Sequence, residues 1–147
     1  MDAEKRIVED IKQYGWHIIN VLAESDSIQF SYTIGLFRSF GAPELFLSGL
    51  KGEISATVLD DIALAIKGGR ELQVRKLYNE FFEGYDCYFD LVEKSTYDSH
   101  FGKAVWFYGG KEFPVVQCVW PNEDRLFPWE TKTRFNQEIL FKVDREF

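Results

Sequence analysis

What this sequence lacks narrows its chemistry. Its only cysteines, Cys87 and Cys118, stand far apart, in neither a C-x-x-C pair nor a zinc-ligand spacing. Both lie in apolar, strand-like runs, where a buried inert thiol is the default. There are two histidines, and no H-x-x-x-H or H-E-x-x-H spacing joins them. G-x-S-x-G is missing, as are the phosphate loop G-x-x-x-x-G-K-[ST] and G-x-G-x-x-G. No apolar run approaches the ~20 residues of a membrane span, and no signal peptide opens the chain, so a cytoplasmic protein with no membrane partner is expected. Repeats, low-complexity tracts and linkers are absent too.

Acidic residues outnumber basic ones, 24 to 17, leaving a formal charge of -7. Such a field repels phosphate backbones, so DNA or RNA is not an expected partner. A small anion can still bind where a few cations converge. At 147 residues the chain is expected to form one domain. Aromatic residues make up 17% of it, enough for a bulky core or a ring-lined cavity.

The chain is organised around Phe30–Leu50. Ile28, Phe30, Tyr32 and Ile34 alternate with Gln29, Ser31 and Thr33, as a strand requires. Gly35 then opens a loop over Leu36–Ala42, and Pro43 returns the backbone to an extended form for a second strand from Glu44 to Gly49. Before this hairpin, Asp2 caps a helix reaching Gln13, with a stripe of Ile7, Val8, Ile11 and Tyr14. Trp16–Leu22 reads as a strand and Glu24–Ser27 as a turn. After it, Glu53–Lys67 reads as a helix buried through Val58, Leu59, Ile62 and Ile66, stopped at Gly68–Gly69. Arg70–Gly84 reads as a short extended piece followed by a turn or brief helix. Tyr85–Val92 forms a strand, Thr96–Tyr108 a helix in preference to a loop, and Phe113–Trp120 a buried central strand. Asn122–Glu130 is a loop; Phe135–Phe147 is either a strand or a loose tail. The fold class is α+β: one mainly antiparallel sheet, open or curled into a split barrel, with two or three packed helices.

Five features bear on candidate chemistry. The Gly35–Gly41 loop holds Arg38 and Ser39, and its N–H groups can cradle an anion or simply turn a hairpin. His17, on a strand, can act as a base or as a hydrogen-bonded core residue. His100 reads as a surface residue. Gln117 interrupts an apolar run, so a backbone group, side chain, water or ligand must meet its amide. Asp60–Asp61 reads as a solvated helix face.

Gly15-Trp16-His17, Tyr32-Thr33-Ile34-Gly35-Leu36, Pro43-Glu44-Leu45, Trp106-Phe107-Tyr108-Gly109-Gly110, Gln117-x-Val119-Trp120-Pro121 and Pro128-Trp129 occur in this order. The series resembles a bacterial domain-of-unknown-function family carrying G-W-H, Y-T-I-G-L and P-E-L signatures, over Tyr14–Glu130. That resemblance implies no activity. Tyr14 stands where the family places a histidine, which argues against a mechanism needing a histidine pair there, and the Trp120–Pro128 loop lacks the family's glycine. A weaker, fold-level resemblance is to split-barrel flavin reductases, with Thr33, Gly35, Ser39 and Pro43 in places similar to those that hold a flavin phosphate.

The leading expectation is a non-enzymatic protein that binds a small, anionic, nucleotide-like ligand for sensing or sequestration. Trp16, Tyr32, Trp106, Tyr108 and Trp120 would wall one hollow. Thr33, Gly35, Arg38 and Ser39 would line its anion loop, with His17 and Gln117 orienting the ligand. An FMN-dependent oxidoreductase and a protein-interaction module of the immunity or inhibitor kind are the alternatives, and a homo-oligomer is compatible with each.

Overall fold

The computed structural model describes residues 2–24, 27–131 and 137–143. Six strands form one sheet: β1 (His17–Val21), β2 (Phe30–Ile34), β3 (Glu44–Ser48), β4 (Leu77–Phe82), β5 (Tyr85–Leu91) and β6 (Val115–Val119), in the order β1-β2-β3-β6-β5-β4. Only β3 and β6 run parallel; every other neighbouring pair is antiparallel. The fold is α+β as expected. The split-barrel form is not adopted: the sheet stays open, and β1 and β4 are its edges.

Among the described residues five α-helices accompany the sheet rather than two or three: α1 (Ala3–Tyr14), α2 (Leu36–Phe40), α3 (Gly52–Lys67), α4 (Tyr97–His100) and α5 (Gly102–Tyr108). Asp2 caps α1 by accepting from the Lys5 N–H at 2.7 Å, the local contact that starts a helix. The helix expected over Thr96–Tyr108 divides at Phe101, where φ is -119° and ψ 38°. Arg70–Gly84 supplies β4 in place of a turn or brief helix.

Helices cover both faces of the central strands. On one face α3 presses Leu59, Ile62 and Ala63 onto Leu45, Leu47, Phe89 and Cys118. On the other, Ile7 and Ile11 of α1 and Tyr97, Phe101 and Ala104 of α4 and α5 enclose Tyr32, Ile34 and Phe46. Ser31 and Thr33 are therefore buried as fully as the apolar residues they alternate with. A period of two separates the faces of a strand, but it marks an exposed face only where one face is solvated.

Gln117 is fully buried on β6, and backbone groups meet it. Its Nε2 donates to the Glu138 carbonyl at 2.6 Å and its Oε1 accepts the Leu140 N–H at 2.9 Å. The Ser48 hydroxyl accepts the Glu138 N–H at 2.8 Å, and His100 Nε2 lies 2.8 Å from the Glu138 carboxylate. Residues 137–143 are neither helix nor strand, yet they are bound across the sheet by these side chains; the rest of the expected strand or tail, 135–136 and 144–147, lies outside the described residues. Replacing Gln117 with methionine is expected to orphan both backbone groups and cost roughly 2–4 kcal/mol. Hydrogen exchange would then rise at the Leu140 amide; unchanged exchange there would refute this attachment.

Candidate functional site

The loop after β2 closes on a buried acid. Gly35 sits at φ +119° and turns the chain into α2, so the N–H groups of Gly35, Leu36 and Phe37 converge. They meet the carboxylate of Glu44, the first residue of β3, at 3.0, 3.1 and 3.1 Å. Thr33 Oγ1 donates to the same carboxylate at 2.8 Å, and the Tyr108 hydroxyl donates to it from α5. Thr33 Oγ1 also accepts the Leu45 N–H at 2.9 Å, and Tyr108 accepts the Arg38 N–H at 3.2 Å. Burial raises the Glu44 carboxyl above its ordinary value, and the donors from Tyr108, Phe37, Thr33 and Gly35 work against that rise. Burial, followed by the neighbouring Glu44 charge, pushes the Tyr108 hydroxyl well above its usual range, so it stays protonated and donates.

The anion cradle expected in this loop is therefore filled from within the chain. Thr33, Gly35, Arg38 and Tyr108 do assemble, but around Glu44. Arg38 contributes its backbone N–H, while its guanidinium lies 5.9 Å from the Phe107 ring centroid on the exposed side. Ser39 ties α2 to the end of α1 by donating to the Gly15 carbonyl at 2.7 Å.

The rings do not surround one hollow. Trp16 and Trp120 pack on the α3 face. Tyr32 and Tyr108 pack on the opposite face, where burial pushes the Tyr32 hydroxyl up to about 12. Trp106 stands exposed on α5. The pairing of Ile19 with Tyr32 explains the separation, because it aligns Tyr32 with His17 and Ile19 rather than with Trp16 and Ile18. Gln117 is engaged at both ends of its amide by the segment it holds.

Two of the expected residues do meet at an open groove. It wraps the edge strand β1, with α1 on one side and α3 on the other, and encloses about 550 Å³. Tyr14, Trp16, Ile18 and Leu64 form its apolar wall; Asp10, His17, Asn20, Asp60 and Lys67 supply the polar groups. Asp10 Oδ2 lies 2.7 Å from His17 Nδ1 and orients the ring, and Trp16 Nε1 donates to Asp60 Oδ1 at 2.9 Å. This combination of apolar walls and a few converging polar groups suits small-molecule recognition.

Sequence reasoning missed Glu44, Asp10 and Asp60 as partners. The stripe of α1 placed Asp10 beside the buried Ile7 and Ile11, a usable signal. Nothing local distinguished Glu44 from a strand-entry residue on the surface.

Fold and site together define a six-stranded, open-sheet α+β domain with an internally capped glycine loop and a ligand-sized groove at one sheet edge. The chain belongs to the family described as a domain of unknown function, DUF4262, whose model matches residues 10–134. No curated protein and no solved structure matches it. Among the described residues no helix is long and apolar enough to cross a membrane, and no group of three or more His, Cys, Asp or Glu side chains is placed to hold a metal ion.

Proposed function

We propose that the protein binds a small, ring-bearing, hydrogen-bonding molecule of nucleoside type in the groove around β1, for sensing or sequestration. One observation carries this reading. His17 lines a groove of about 550 Å³ and is fixed through Nδ1 by Asp10, while its Nε2 has no protein partner among the described residues. A fixed imidazole with one free nitrogen can donate to or accept from a ligand without reorganising. Two carboxylates and one lysine in the lining favour a neutral or amine-bearing ring over the phosphate-bearing nucleotide expected from the sequence. The flavin reading loses its support as well, since the N–H groups required for the FMN phosphate are engaged by Glu44.

Native mass spectrometry of freshly purified protein, followed by calorimetry with nucleosides, nucleoside monophosphates, cyclic dinucleotides and FMN, tests the reading. A nucleoside-type ligand is expected to bind, and His17→Ala to weaken it about tenfold, the equivalent of roughly 1.4 kcal/mol. Absence of both a copurified molecule and any heat, or equal binding by the variant, would sink it. A second reading, protein interaction by strand addition, is favoured by the position of β1 at the sheet edge and by the exposed Val21 and Leu22. The same native spectrum reports a bound polypeptide or a paired copy.

A further inference from the structure

A second hollow, of about 430 Å³, lies on the α3 face and shares no lining residue with the groove at β1. Its floor is the sheet at Leu45, Phe89 and Val116. Its walls are Phe40, Pro43, Ile66, Leu72, Val74 and Leu91. The strap 70–74 forms its roof. Gly69 at φ +102° and Arg75 at φ +62° bound that strap, both in the left-handed region. Three bonds hold it in place: Arg70 N–H to the Ala65 carbonyl at 3.0 Å, Gln73 N–H to the Tyr78 hydroxyl at 2.8 Å, and Arg75 N–H to the Phe89 carbonyl at 2.7 Å.

Size and polarity select the occupant. The Arg70 guanidinium at the rim is bound at both ends by Glu80, at 2.6 and 2.5 Å, so an anionic guest finds no vacant counter-charge there, and the lining Glu71 and Gln73 are exposed to solvent. Val74 and Leu91 are 39% and 51% exposed, yet both line this hollow. Water gains few hydrogen bonds against the apolar side chains, although Arg70, Glu71 and Gln73 border them, and an apolar cavity of about 150 Å³ already accepts a benzene ring. About 430 Å³ is room for two fused rings.

We propose that this hollow is a binding site for an uncharged, apolar, two-ring molecule, held between the strap and the sheet by Phe40, Pro43, Ile66, Leu72, Val74 and Leu91. It is independent of the groove at β1, and occupation of one site does not require the other.

N-phenyl-1-naphthylamine, a neutral fluorescent probe, tests the assignment by titration of the full chain. Saturable one-to-one fluorescence enhancement is expected. Val74→Trp fills the hollow from its exposed side and should weaken the probe about tenfold or more. Leu64→Trp, which intrudes on the groove at β1 instead, should leave its affinity unchanged. In methyl spectra of the unmodified protein, naphthalene should shift Ile66, Leu72 and Val74 and spare Ile18 and Leu64, a measurement that needs no variant to fold. Failure to saturate, full affinity in Val74→Trp, loss in Leu64→Trp, or shifts centred on Ile18 would each overturn the proposal.

Discussion

Replacing Glu44 with alanine is expected to lower the unfolding free energy by about 3–5 kcal/mol, read as a fall in the urea midpoint. Three backbone N–H groups at the start of α2 lose their acceptor, together with the hydroxyls of Thr33 and Tyr108. Hydroxyls can rotate toward other partners, but the three N–H groups cannot, and each sheltered donor left unpaired costs about 1–3 kcal/mol. Against a total stability of roughly 5–15 kcal/mol for a domain, that loss brings the variant close to unfolding. Tyr108→Phe removes one of the five donors and should cost only about 1–2 kcal/mol. Glu44→Gln adds a pH signature. Burial raises the carboxyl of folded Glu44 above its ordinary value of 4.5. Its contribution is therefore complete below that ordinary value and declines as the pH climbs through the raised one. The glutamine variant should lack this part of the slope. An alanine variant as stable as the parent would show that the acid does not hold the loop.

The second large effect is expected at Gly35. An alanine Cβ there would lie 2.7 Å from the Gly15 carbonyl oxygen and 2.8 Å from Ile11 Cγ1, at a φ of +119° that L side chains avoid. The first neighbour is backbone and the second a buried core atom, so neither can move aside cheaply. Backbone strain of about 1–3 kcal/mol and overpacking of similar size combine to roughly 3–5 kcal/mol. Gly41 is the internal comparison. Its φ is +69°, and nothing lies within 4 Å of an added Cβ, so Gly41→Ala should cost only about 1–2 kcal/mol. Equal melting temperatures for the two variants would refute this account of the loop.

Much of the secondary structure was legible because it rests on local physics. Asp2 caps α1, Ile7 and Ile11 bury its stripe, and α3 buries Val58, Leu59, Ile62 and Ile66 as its periodicity requires. Gln117 declared a need for polar partners, although not that residues 138 and 140 would supply them. The loop after Gly35 is legible only in part. Its glycine and its converging N–H groups were visible, but the coil into α2 depends on an acceptor seven to nine residues away. Without Glu44 beneath it, the same sequence reads equally well as an open anion cradle.

The candidate site depended still more on placement. Trp16 and Tyr32 each looked like the wall of a pocket, and the β1–β2 register sent them to opposite faces. His17 gained Asp10 because α1 packs beside β1. By itself, then, the sequence determined where helices start and stop, which residues alternate along a strand, and which buried polar groups need partners. Those properties depend on neighbours within a few positions. Only the tertiary structure decided which faces meet, which donors remain free and where a cavity opens. Each of these turns on strand register and helix placement, which bring together residues far apart in the chain.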